Sequence, residues 1–323
     1  MHYLSILHDR QLLNFEQFVF HLCQYAAAGG HLSILKWLHE NFWPEKQLND
    51  FETKYYLDSI CFFAGRNGHL HVLKWLNTWI PSVSDAFCGA AHGGHIEVLE
   101  WLLENSPMND SVCEEAAKGG HLEVLKWLQA NDITINSGAS EGAAEGGYWH
   151  ILEWLEKNDI KWSEYICLYA ARGGHIELLK YLKEKGFKYK SQICAYAADG
   201  GHLEVVQWLK EMGASMEKVA SRAAQMGRLK IVKWALENGC EYTQECASQA
   251  VDGDQLEILQ YFYENGYNID HISTRAAELG HLDILQWMHE KKLPISLNVP
   301  WQALKNGDIE MVAWYNYEVK EKQ

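Results

Sequence analysis

Ala116-Ala117-Lys118-Gly119-Gly120-His121-Leu122-Glu123-Val124-Leu125-Lys126-Trp127-Leu128 is the stretch whose reading decides the fold. Two alanines end one segment, a glycine pair turns the chain, and an apolar pattern at Leu122, Val124, Leu125, Trp127 and Leu128 follows. That spacing buries one face of a helix. Glu123 sits where an acid complements the helix N-terminus. The stretch recurs, with turn glycines at Gly30, Gly68, Gly94, Gly147, Gly174, Gly201, Gly227, Gly280 and Gly307, and one degenerate copy at Asp254. From Gly68 onward the interval is always 26 or 27 residues; the first is 38. Recurrence at such a period marks a stacked array rather than a set of globular domains.

Each unit reads as two helices joined at the glycine. The first ends in a small pair, as in Ala26-Ala27, Ala90-Ala91, Ala143-Ala144, Ala170-Ala171, Ala197-Ala198, Ala223-Ala224 and Ala276-Ala277. Small side chains let helices approach closely. Ser111-Val112-Cys113-Glu114 has the form of a capping box. One helix pair cannot cover its own apolar face, so units stack. The expectation is an all-α solenoid of about eleven repeats, 1–323, forming one elongated domain about 100 Å long at about 10 Å per repeat. Residues 1–20 read as an N-terminal cap helix with Leu12, Leu13, Phe15, Phe18 and Val19 facing the first repeat, 39–60 as an insertion, and 296–323 as a degenerate last repeat and tail.

The two alanines, two variable residues, Gly-His, acid and hydrophobic helix of 116–124 resemble the core of the ankyrin repeat, and the resemblance extends along nearly the whole chain. It departs from that family in length, in lacking Thr-Pro-Leu-His, and in connections such as Asn131–Asn136 that are too short for a β-hairpin finger. The short, Trp-containing form looks like repeats abundant in amoebae, oomycetes and large DNA viruses of protists. The resemblance implies a non-catalytic solenoid that binds a partner protein along its concave face.

The net charge of −15 argues against a surface that neutralises phosphates and against docking on anionic membranes. No secretory leader and no apolar run of bilayer length is read, so the chain is expected to be a cytoplasmic monomer, in the cell that makes it or in a host. A second reading makes it an adaptor that recruits targets to machinery such as a ubiquitin ligase, through 1–20 or 39–60. A remote third is an enzyme. Gly138-Ala139-Ser140-Glu141-Gly142 spells GxSxG, but it falls inside a first helix instead of on a strand-to-helix elbow.

Three recurrent residue types are weighed. An aromatic stands seven residues after each turn slot, from Trp37 to Trp314. It reads either as an inter-repeat packing ladder or as a stacking platform for bases or sugars, with burial as the arbiter. Cys23, Cys61, Cys113, Cys167 and Cys194 share a slot that elsewhere holds Ser140, Ala220, Ala247 and Ser273, which asks for small volume and not for a metal-binding thiolate. His31, His69, His95, His121, His175, His202 and His281 follow the turn glycine and are expected to cap the turn through their ring nitrogens. No cofactor or metal is expected.

The partner site is placed on the first helices. Slots nine, five and two residues before the turn glycine share one helical face. In most units they hold ordinary polar residues such as Ser111, Glu115 and Lys118. In the sixth unit they hold Tyr165, Tyr169 and Arg172, with Tyr196 next in the seventh and Lys218 and Arg222 in the eighth. Tyr and Arg are enriched at interface hot spots.

Overall fold

A computed structural model describes residues 15–42, 51–80 and 82–320. Among these residues the chain is all-helical, with 22 α-helices, a π-helical turn at Tyr315–Lys320, and no strand. The helices alternate as the repeat requires. Val112–Lys118 is followed by Leu122–Ala130, and Ile193–Gly200 by Leu203–Glu211. The described residues divide into two compact units, 1–166 and 167–323.

Backbone geometry explains the Ala-Ala-x-x-Gly-His pattern. The turn glycine adopts left-handed φ, +76° at Gly94 and +82° at Gly120. This frees two backbone N–H groups to close the preceding helix. His95 N donates to Ala90 O at 2.9 Å and Gly94 N to Ala91 O at 3.3 Å, the paired bonds of a Schellman cap. Equivalent bonds run from His121 N to Ala116 O, Tyr148 N to Ala143 O and Arg228 N to Ala223 O. The second helix of most units ends the same way, with Asp132, Asp159, Gly186 or Gly213 in left-handed backbone.

The core is a column of small and branched residues repeated unit by unit. The paired alanines are buried, and Val98, Leu99 and Leu102 with their equivalents face them from the second helix.

The nominated cap helix lies outside the described residues at 1–14; from Phe15 the chain is helical to Ala28, and Val19 is buried. Of the insertion, 43–50 lie outside the described residues. Its remainder lengthens the next first helix to Phe51–Arg66, 16 residues against 7 in Val112–Lys118. The last pair, Val299–Lys305 and Ile309–Trp314, keeps the repeat's form with Pro300 in its first helical turn.

Two local expectations are corrected. Ser111 makes no side-chain cap bond. The helix entry is built instead by Asn109, whose side-chain carbonyl accepts from Ser111 N at 3.0 Å. The same turn recurs at Asn136 to Gly138 N, Ser163 to Tyr165 N and Asn268 to Asp270 N. An upstream oxygen holding N–H groups two residues on competes with a capping box and wins here. The histidine rings likewise do not cap their own turns: no side-chain cap bond forms at His69, His95, His121 or His202. The capping donor is the backbone N–H, which every residue type has except proline. That explains why Tyr148, Arg228, Gln255 and Asp308 are accepted in the slot. The rings reach the preceding repeat: His69 Nε2 is 2.9 Å from Ala28 O and His95 Nε2 is 3.0 Å from Arg66 O.

Candidate partner-binding surface

In the second unit the nominated face is held together from repeat to repeat. Tyr169 and Tyr196, one repeat apart in the same slot, meet edge to face with centroids 6.2 Å apart. Arg222 reaches back one repeat to Asp199, with Nε 2.9 Å from one carboxylate oxygen and Nη2 2.6 Å from the other. Asp199 is buried, and a second bond from Arg222 to Gln225 orients the guanidinium. Arg275 repeats the arrangement on Asp252 at 2.6 Å. Arg172 and Lys218 are exposed, Lys218 in left-handed backbone at φ +63°. Of the six nominated residues, five therefore lie in the second unit: Tyr169, Arg172, Tyr196, Lys218 and Arg222. Arg222 spends its fork on Asp199 and holds the face in shape, while Arg172 and Lys218 are exposed on the same register. Tyr165, 45% exposed, belongs to the first unit.

In the first unit the same slots are linked by His92 to Glu115 at 3.0 Å and Lys118 to Glu145 at 3.0 Å. A groove of about 770 Å³ opens beside His21, Ser59, Phe63 and Asp85, which occupy these slots in the first three repeats. Sequence reading named 39–60 only as a candidate recruiting segment and placed no site residue here. The signal was present in aromatic residues at 56, 62 and 63, but they were read as part of the insertion and its repeat.

The charge of the chain is unevenly spread. Residues 172–233 hold twelve Lys and Arg against six Asp and Glu, whereas residues 1–166 hold ten Lys and Arg against twenty-two Asp and Glu. The overall −15 hides a basic stretch that includes Lys180, Lys183, Lys185 and Lys188.

The recurrent aromatics pack. Trp287 is buried and the other ten, Trp37 to Trp314, are half-buried; none is exposed. The residue two places on in one repeat lies against the aromatic of the next: His39 on Trp75 at 5.7 Å, Tyr263 on Trp287 at 5.9 Å and His289 on Trp314 at 6.0 Å. Lys210 does so over Trp234 at 5.4 Å. The cysteine slot is buried throughout, and burial pushes the Cys23 thiol up to about 12 and those of Cys167 and Cys194 to about 11. Thiols held that far from ionisation are inert packing groups. Ser140 is fully buried within Gly138–Gly146; its hydroxyl donates to Ser137 O at 2.6 Å and accepts from Ser163 N at 2.8 Å. It joins two repeats and presents no nucleophile. Among the described residues no group of three or more His, Cys, Asp or Glu is placed to hold a metal ion, and no helix is long and apolar enough to cross a membrane.

No curated protein matches this sequence. Two solved structures of the pentatricopeptide repeat protein PPR10 in complex with an 18-nt psaJ RNA element align with 98% of this chain and 63% of theirs, at 10% identity and a TM-score of 0.26. A score that low carries no argument about fold or ligand, and the chain spans less than two thirds of those proteins. Residues 23–76 match the family model for ankyrin repeats (many copies). Residues 23–76 are thus similar to ankyrin repeats, a protein–protein interaction module.

Proposed function

We propose that this chain is a non-catalytic scaffold that holds an acidic partner protein against the first-helix face of its second unit. The observation that carries this reading is the Tyr169–Tyr196 edge contact, set beside the outward cations Arg172 and Lys218. Rigid aromatic anchors with adjacent cations are the usual makings of an interface hot spot. The Arg222–Asp199 fork fixes the neighbouring backbone, so little ordering is left to binding. The surplus of Lys and Arg over residues 172–233 selects an acidic surface on the partner and speeds its approach. Tyr165 extends the same register in the first unit. The proposed setting is cytoplasmic and the chain a monomer, in keeping with eight cysteines that are all free thiols. The adaptor reading rests on 1–20 and 39–60, of which 1–14 and 43–50 lie outside the described residues.

The test is quantitative capture from cells by the wild type, by Tyr169→Ala/Arg172→Glu, and by a Lys126→Ala control. The expected result is a protein with an acidic surface that is retained by wild type and control and lost by the double variant. A partner held equally by all three removes this cluster from the site.

A further inference from the structure

The groove of the first unit is built by residues from three successive first helices. Tyr56, Asp58, Phe62 and Phe63 come from Phe51–Arg66, His21 from Phe15–Ala28 and Asp85 from Asp85–Gly93. Its volume of about 770 Å³ lies within the range of ligand-binding clefts. The rings are fixed before any ligand arrives. Tyr56 stacks on Phe20 with centroids 4.1 Å apart and planes 4° from parallel, and Phe62 meets Phe63 edge-on at 5.7 Å.

Two carboxyls line the groove with these rings. Asp58 and Asp85 line the same groove from neighbouring helices, and burial together with the charge of Asp85 holds the Asp58 carboxyl above the usual carboxylate range. Asp85 has a local reason to be acidic, since it opens its helix and complements the positive end of the dipole. It also accepts from Asn109 at 3.5 Å. Asp58 has no such reason. It lies in mid-helix, where nothing in the repeat calls for an acid, and facing Asp85 it costs stability. The nearest cation in sequence is Lys54, one turn earlier and exposed, and its pull is the weakest of the influences on Asp58. Among the described residues no Lys or Arg lines the groove. The unit around it is strongly acidic, with twenty-two Asp and Glu against ten Lys and Arg over residues 1–166.

We infer that this groove receives an arginine side chain of a basic polypeptide, with the guanidinium bonded to Asp58 and Asp85 and lying against the rings of Tyr56, Phe62 and Phe63. A planar guanidinium suits the site better than an ammonium for two reasons. Its fork presents N–H groups to two carboxylates at once. Its flat face also stacks on aromatic rings. A bound cation relieves the repulsion between the two carboxyls that the free protein carries at neutral pH. The groove belongs to the first unit and the proposed partner surface to the second, so the two readings stand or fall independently.

The probe is an acetylated, amidated, fluorescently labelled Gly-Arg-Gly-Arg-Gly-Arg-Gly peptide, with its lysine counterpart, read by anisotropy at pH 7.5 and about 150 mM salt. The full chain should bind the arginine peptide more tightly than the lysine peptide. Asp58→Asn/Asp85→Asn should weaken it roughly ten-fold or more, as loss of a desolvated charge pair does. Phe63→Leu, which keeps the apolar bulk, should weaken the arginine peptide selectively. Tyr169→Ala/Arg172→Glu should bind it like the wild type. Circular dichroism checks that each variant is folded. Equal binding by wild type and the Asn double variant, or equal binding of the two peptides, overturns the inference. So does concentration-dependent dimerisation abolished by the Asn substitutions, since a second copy would then be the occupant.

Discussion

The imidazole of His202 lies across Gly174 of the preceding repeat, so closely that a Cβ added to Gly174 would stand 2.5 Å from its Nδ1. The ring also bonds to the backbone carbonyl of Arg172. Gly30 and His69, Gly68 and His95, and Gly94 and His121 repeat the contact. The glycine and histidine that adjoin in sequence thus serve two joints: each glycine receives the next repeat's ring, and each ring reaches back to the repeat before.

Gly174→Ala should therefore cost more than Gly213→Ala. Both glycines have left-handed φ, +85° and +80°, and so share a conformational penalty of about 1–2 kcal/mol. Around Gly213 a Cβ meets nothing within 4 Å. The added clash with His202 should bring Gly174→Ala to roughly 2–4 kcal/mol. Denaturant midpoints of the two variants compare them within one unit. Equal losses would show that the ring moves aside freely.

Acid should weaken the histidine joints. Burial lowers the pKa of His121 and His202 below the usual histidine value. The unfolded chain then binds protons that the folded chain resists, so this contribution is complete above about pH 6.5 and declines as pH falls below it. Melting temperatures of His202→Gln should fall less steeply than wild type between pH 7 and pH 5. A parallel slope would mean that the ring is protonated in place.

Asp58 should show the opposite trend. Burial first, and then the charge of Asp85, raise its pKa to about 6. A folded-state pKa above the unfolded value means an ionised Asp58 destabilises the fold, fully above about pH 6, with relief as pH falls toward about 4. Asp85 and Lys54 are the charges acting on it, and His21 lines the same groove. Asp58→Asn should be more stable than wild type by roughly 1 kcal/mol at pH 7.5, after discounting for its partial exposure, with the gap closing near pH 4.5. A destabilised Asn variant at neutral pH would contradict this.

Breaking the Arg222–Asp199 fork from the arginine side leaves a buried carboxylate without its counter-charge. Arg222→Ala should cost roughly 1–3 kcal/mol, reduced from the fully buried case because the guanidinium is 39% exposed. Arg222→Met/Asp199→Leu should recover most of it. Thermal unfolding of the single and double variants decides the point. A double variant as unstable as Arg222→Ala would show that the apolar pair does not pack there.

The sequence by itself determined the helix pairs, the turn positions, the buried alanine and cysteine slots and the aromatic ladder. Each follows from a local rule repeated eleven times: an apolar period of a helix, a glycine for left-handed φ, a small residue where helices cross. It also picked out the face nine, five and two residues before the turn, where the second-unit tyrosines and the first-unit groove both lie. Tertiary structure alone decided what that face touches. Arg222 meets Asp199 from 23 residues away, the His202 ring lies on the repeat before it, and Asp58 shares a groove with Asp85 of the next repeat. Such pairings depend on how one unit stacks on the next, and side chains one repeat apart in the chain leave no periodic mark of which neighbour they will find.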